Sequence, residues 1–200
     1  MKILAFSDIH TDFEGAERLA ELSGEADVVV GAGDFCAAHH GLEEMIKVLG
    51  AIETPSLVVP GNNETDTALR AATASYWPSA RVLHGEGTVL GGVPFFGLGG
   101  GIPTTPWGWS HDLTEYEAEA LLEEAPAGGV LILHSPPKGY ADGRGGGHFG
   151  SEAILAAIQR HTPQWAFCGH IHECWGEEHL IGATHLLNCG PSGRFVTLGE

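Results

Sequence analysis

Five short apolar runs along this chain each end, within a few residues, at a side chain able to hold a cation or a proton. Lys2–Phe6 leads into Ser7-Asp8-Ile9-His10, residues 28–30 into Gly33-Asp34, and residues 57–59 into Gly61-Asn62-Asn63-Glu64. Val130–Leu133 leads into His134, and residues 166–168 into Gly169-His170-Ile171-His172. Runs this short and this apolar read as buried strands. In parallel α/β sheets the carboxyl ends of the strands form the ligand crevice. The polar groups are therefore expected to gather at one edge of the fold, although the chain order spreads them over most of the sequence.

Between the early runs the apolar spacing turns helical. Residues 14–22 carry Ala16, Leu19, Ala20 and Leu22, with Asp12 as candidate N-cap, and residues 42–49 and 65–75 also read as helices. Strand, helix, strand, helix, strand predicts an α/β fold with parallel strands and right-handed crossovers. The middle changes character: residues 81–83, 88–90 and 93–98 read as short strands of antiparallel hairpins. A loop follows over residues 99–112, with Pro103, Pro106, Trp107 and Trp109. Residues 114–124 read as a helix with Thr114 and Glu117 in capping-box register, and 151–161 as a helix capped by Ser151. A glycine-rich loop spans 136–150, and 165–168, 185–188 and 194–198 read as late strands. No repeat or linker interrupts the pattern, so residues 1–200 are read as one domain, long enough to bury a core without disulfides.

The formal charge of −17, from 9 basic and 26 acidic residues, argues against a general nucleic-acid or acidic-membrane binder. That argument is global, because divalent cations reverse the sign inside a pocket. Twelve histidines outnumber the lysines and arginines together, which matters only if their positions are organised. The four cysteines form no CxxC pair and read as reduced, buried thiols. The first apolar run is too short for a signal peptide, and no stretch approaches a membrane span. A soluble protein of the cytoplasm is expected.

Taken singly, Asp8 could be a helix cap, Asp34 a turn residue and His134 a core histidine. Jointly these readings fail, since each would have to set its polar group after an apolar strand by coincidence. In extended backbone, residues two apart project to one side, so Asp8 and His10 can converge, as can His170 and His172. Carboxylate, imidazole and amide oxygen form a mixed N/O donor set suited to Mn, Fe, Zn or Ni. Asp8, His10, Asp34, Asn62, His134, His170 and His172 exceed the needs of one ion. With Asp34 bridging, two ions could sit roughly 3.5–4 Å apart, the spacing of two-metal hydrolytic sites. Glycines before Asp34, Asn62 and His170 allow close backbone approach.

These segments, in this order over residues 8–172, resemble the motifs of the calcineurin-like metallophosphoesterase superfamily, and residues 188–193 resemble its C-terminal loop. The resemblance implies a four-layer αββα sandwich, two mixed β-sheets flanked by helices. It implies one metal on Asp8, His10 and His172, another on Asn62, His134 and His170, and Asp34 as the bridge. It further implies hydrolysis of a small phosphoester by a hydroxide held between the ions, with phosphodiesterase activity ahead of phosphomonoesterase activity. A non-catalytic interaction module of the same fold is the rival reading. One position departs from the pattern: Asn63 stands where the superfamily usually has a histidine, and an amide cannot act as a general acid near pH 7. His148, in the loop after His134, is the candidate substitute. Ser151 and the amides after it are candidates to receive phosphate at a helix N-terminus. His39 and His40 either line the pocket or decorate the surface. Trp107 and Trp109 are read as loop packing, with an aromatic wall as the alternative, and Glu64 as a support for Asn62 or a ligating histidine.

Overall fold

Alternation along the buried strands sorts their side chains onto two faces, and this sorting builds the layers. The computed structural model describes residues 1–199. Its first half runs β1 (Lys2–Phe6), α1 (Phe13–Ser23), β2 (Val28–Gly31), α2 (Leu42–Leu49), β3 (Ser56–Val58), α3 (Asp66–Tyr76) and β4 (Ala80–Val82). Then come β5 (Glu86–Leu90), β6 (Val93–Leu98), α4 (Glu115–Leu122), β7 (Val130–Leu133), β8 (Gly143–Arg144), β9 (Gly147–His148) and α5 (Glu152–His161). The chain finishes with β10 (Trp165–Cys168), β11 (Glu178–Ile181), β12 (Thr184–Asn188) and β13 (Arg194–Thr197).

Ile3 and Ala5 of β1, Val28 and Val30 of β2, and Leu57 of β3 pack against Val130 and Ile132 of β7, Phe167 of β10 and Leu187 of β12. Their sequence neighbours Leu4, Phe6, Val29 and Val58 face the other way, onto Leu19 of α1, Met45 and Ile46 of α2, and Leu69 of α3. Phe96, Leu131 and Leu133 likewise face Leu122 of α4 and Ile154 and Ile158 of α5. The result is the expected αββα sandwich, with the sheet-to-sheet layer almost purely aliphatic and aromatic.

The sheets are ordered β13-β1-β2-β3-β4 and β11-β12-β10-β7-β6-β5. In the first, β1, β2, β3 and β4 run parallel, joined by α1, α2 and α3, and β13 lies antiparallel on β1. In the second, β6, β7, β10 and β12 run parallel, with antiparallel β5 and β11 at the edges. The hairpin expected at residues 81–83 does not form; β4 pairs parallel with β3, because α3 supplies the crossover. Only β5 and β6 form the expected hairpin. The sequence pattern also missed β11, whose alternation is weak, and the short β8–β9 ribbon inside the glycine-rich loop. Among the described residues no helix is long and apolar enough to cross a membrane.

Helix ends follow local chemistry. Asp12, Thr65 and Ser151 cap α1, α3 and α5, and Thr114 with Glu117 forms the full capping box on α4. Glu115, in the first turn of α4, reaches across to α5. Its carboxylate accepts from Ser151 Oγ (2.7 Å), Glu152 N (3.0 Å) and Ala153 N (2.9 Å). Glu115→Ala should therefore lower stability by about 1–2 kcal/mol, the scale of a lost helix cap. Urea denaturation measures this, and an unchanged midpoint would mean the clamp contributes nothing.

Candidate metal centre

Parallel pairing points the ends of β1, β2 and β3 in one direction, and those of β7 and β10 likewise. The two sets meet. Across the sheets, Ser7 N donates to Gly190 O at 2.9 Å and the His170 amide to Asp8 Oδ1 at 3.0 Å, while within each sheet Asp8 N donates to Gly33 O and Gly169 N to His134 O. Just past the strand ends, Asp8 (φ 54°), His10 (φ 40°), Asp34 (φ 60°) and His170 (φ 69°) adopt left-handed backbone. Such residues cost of order 1–3 kcal/mol each and concentrate where side chains must be aimed. The extended-backbone rationale for Asp8/His10 and for His170/His172 is therefore corrected: tight turns aim these side chains, and His172 opens a 3₁₀ turn over His172–Cys174.

Donor atoms of Asp8, His10 and His172 lie within 4.8 Å of one another, as do those of Asp34, His134 and His170. Asp34 stands between the groups. Its Oδ2 is 3.5 Å from His10 Nε2 and its Oδ1 is 3.5 Å from His134 Nε2. Asn62 Oδ1 completes the second group, 3.2 Å from His134 Nε2 and 3.1 Å from His170 Nδ1. All seven residues singled out from the sequence converge, and His170 and His172 part company into different groups.

The donor chemistry fits divalent cations. His10 Nδ1 faces Cys36 O at 3.0 Å and His134 Nδ1 faces Ala32 O at 2.8 Å. A carbonyl only accepts, so each Nδ1 carries a proton and Nε2 is the nitrogen turned into the site, as in a metal-ligating histidine. His10 Nε2 lies 3.1 Å from His172 Nε2, and His134 Nε2 lies 3.2 Å from the amide oxygen of Asn62, so the ring nitrogens and the amide oxygen converge on one space. Electrostatics ask for the same thing. Burial, with the Asp34 charge added, pushes Asp8 above the usual carboxylate range. Burial alone would lower His134, but Asp34 and Asp8 raise it, so the site draws positive charge. Burial, reinforced by His134, pushes His170 down to about 3, leaving it neutral and free to ligate.

Each carboxylate is held from behind. Asp8 accepts from Ser7 Oγ (2.5 Å), from the His170 amide (3.0 Å) and from Trp175 Nε1 (3.3 Å). Asn63 grips Asp34 with its backbone N–H on Oδ1 (2.9 Å) and its Nδ2 on Oδ2 (2.6 Å), while its own Oδ1 accepts from Ala38 N. Glu64 does not support Asn62 or a histidine as expected. Its carboxylate gathers the amides of Gly61 (2.7 Å), Asp34 (2.9 Å), Phe35 (3.1 Å) and Cys36 (3.3 Å), and so shapes the Asp34 turn. Asn62 is oriented by Ser110, which accepts from Nδ2 at 2.9 Å and donates to Asp112 at 2.6 Å. Ser110, Asp112 and Trp175 were missed, because their roles depend on loops whose course no local pattern announces.

The remaining expectations fare differently. His148 does not line the cleft; its Nδ1 meets Asp142 Oδ1 at 2.6 Å on the β8–β9 ribbon. Burial raises Asp142, but the Gly139 amide, His148 and the Gly150 amide outweigh it and hold the carboxyl below its usual range. Ser151 and the amides after it cannot receive a phosphate as they stand, because the Glu115 carboxylate already fills that helix N-terminus. His39 Nε2 meets Trp109 O at 2.5 Å and packs edge-on to the Trp109 ring, so it backs the cleft wall instead of facing in. Trp107 and Trp109 are not loop packing. They stack on each other at 5.7 Å, 43% and 41% exposed, at the rim of the cleft.

Two glycines show how tight the assembly is. A Cβ on Gly61 would sit 2.0 Å from Asp34 Oδ1 and 2.2 Å from the Asp34 amide nitrogen, and one on Gly169 would sit 2.3 Å from Asp8 Oδ2. The clearance is needed by the carboxylates. Gly61→Ala should destabilise even the metal-free protein by about 1–3 kcal/mol, as overpacking does. Thermal unfolding in chelator tests this; an unchanged Tm would mean the turn can relax.

A family model described as calcineurin-like phosphoesterase matches residues 1–174. The UPF0046 protein K07C11.7 of Caenorhabditis elegans is 28% identical over 197 residues, covering 88% of this chain and 65% of that protein. The chain thus spans just under two thirds of that relative's length. Among solved structures, TT1561 of Thermus thermophilus matches with a TM-score of 0.77 at 21% identity, over 96% of this chain and 90% of that one. A dimetal phosphatase from Danio rerio matches at 0.63 and 12% identity, over 96% and 88%. At these identities the likeness is one of fold. With the family model covering most of the chain and the sandwich shared with those structures, the chain belongs to the calcineurin-like phosphoesterase family.

Proposed function

We propose that the chain is a dinuclear metal-dependent phosphoesterase acting first on phosphodiesters. The observation that carries this reading is the place of Asp34, one carboxylate oxygen turned to each histidine group. Asp8, His10 and His172 would hold one divalent ion, Asn62, His134 and His170 the other, and Asp34 both. The mixed N/O set suits Mn, Fe, Zn or Ni. Two such ions, when bound, neutralise phosphate charge and make water nucleophilic near neutral pH.

The chain's own residues supply aim and rigidity. The Ala32 and Cys36 carbonyls keep the imidazole protons on the far side of His134 and His10. Asn63 turns its Nδ2 to Asp34, and a carboxamide is no acid near neutral pH, so it does not protonate a departing oxygen. Chemistry without a general acid at this position favours esters whose leaving group departs as a stable anion. The diester preference is supported by a cleft that continues past the histidines, with room for a second organic substituent. Phosphomonoesters are the second reading. A non-catalytic scaffold is disfavoured because every expected ligand position is filled. We assign the protein to the cytoplasm, in keeping with four cysteines that are free and buried.

Elemental analysis should give two metal ions per chain, and chelation should abolish hydrolysis of bis-p-nitrophenyl phosphate until Mn is restored. Asp34→Ala should cut turnover more than about a hundredfold, beyond what loss of a merely supporting residue does. Undiminished turnover by the metal-saturated variant would count decisively against the assignment. Asn63→His should raise turnover on alkyl esters relative to nitrophenyl esters. An unchanged ratio would mean that this position does not face the leaving oxygen.

A further inference from the structure

We infer that the trough beside the candidate metal centre is a subsite for a planar aromatic group carried by the phosphoester. This inference rests on the phosphoesterase reading. The trough has a volume of about 480 Å³ and is walled by Pro103, Pro106 and Trp107 from the 99–112 loop and by Phe149 after β9, with Ile171 and His170 at the inner end. It opens directly on the metal centre, because His170 and Ile171 also line the cleft that contains His10, Asp34 and Asn62. A group held in the trough is therefore covalently within reach of a phosphate held at the histidines.

The walls point to the occupant. Trp107 is 43% and Phe149 51% exposed, and because both border the same trough they present uncovered aromatic surface to whatever occupies it. Trp107 is braced by the parallel Trp109 ring, so its face is held ready. Proline rings and aromatic faces make rigid walls. A flexible alkyl chain would lose rotamer freedom on entering such a slot, whereas a planar ring has little to lose. Arg144 lines both the cleft and the trough. Its Nε lies 3.3 Å from Glu173, and both side chains are more than half exposed, so the pair can part. In a chain of formal charge −17, this guanidinium brings positive charge to the junction where phosphate and ring would join, and its plane can stack on an aromatic face.

The test is calorimetric binding of three inert probes to the Mn-loaded full chain: methylphosphonate, phenylphosphonate and hexylphosphonate. Phenylphosphonate should bind about tenfold more tightly than methylphosphonate, the effect of one aromatic contact at about 1.4 kcal/mol per decade. It should also bind more tightly than hexylphosphonate. In Trp107→Ala and Phe149→Ala the phenyl-to-methyl ratio should fall toward one. In Tyr116→Ala, an exposed aromatic on α4 outside the trough, the ratio should stay as in the wild type. Equal affinity for phenyl and methyl probes, or a ratio untouched in both trough variants, would overturn the subsite while leaving the phosphoesterase reading intact. A hexyl probe matching the phenyl probe would overturn the aromatic assignment. Failure of all three to bind, with no hydrolysis of bis-p-nitrophenyl phosphate, would overturn both.

Discussion

Three carboxylates, Asp8, Asp34 and Glu64, are buried together where the two sheets meet, and the structure around them is arranged to make that tolerable. Removing an ionised carboxylate from water is costly unless hydrogen bonds and opposite charge compensate. Glu64 is compensated in part by the amides of the Gly61 and Asp34 turns, against burial and the Asp34 charge, which together raise it above the usual carboxylate range. Asp8 receives a hydroxyl, an amide and an indole. Asp34 receives both donors of Asn63, and His134 and His10 help hold it below the usual carboxylate range against the upward push of burial. What these donors leave over is a demand for positive charge, at a place where His10 Nε2 and His134 Nε2 each stand 3.5 Å from an Asp34 oxygen.

That demand explains why backbone strain gathers here. Asp8, His10, Asp34 and His170 are left-handed, and their turns are over-determined by neighbours from other strands: His10 N donates to Asp34 O, and the His170 amide to Asp8. The rigid frame comes from strand ends backed by an apolar inter-sheet layer that cannot shift without opening voids. Outside that frame lie the 99–112 loop and the segment around the β8–β9 ribbon. They contribute Trp107, Trp109, Arg144 and Phe149, which line the cleft or the trough beside it and do not belong to the two histidine groups.

Much of this was legible in the sequence. Short apolar runs ending in Asp, Asn or His specify buried parallel strands with polar tips, because few other arrangements bury such runs while hydrating their ends. The α/β alternation, the caps at Asp12, Thr114 and Ser151, and the polar residues at the strand ends follow from patterns local to each segment, whereas the αββα layers and the split of the ligand positions into two groups came from the family resemblance. Tertiary structure alone decided the rest. It paired β4 with β3, gave the N-terminus of α5 to Glu115, sent His148 to Asp142, and set Ser110, Asp112 and Trp175 behind the ligands. The physical reason is range. Periodicity and capping act over a few residues and leave their mark on the sequence, whereas a hydrogen bond such as Trp175 to Asp8 joins positions 167 residues apart and exists only once the sheets have packed.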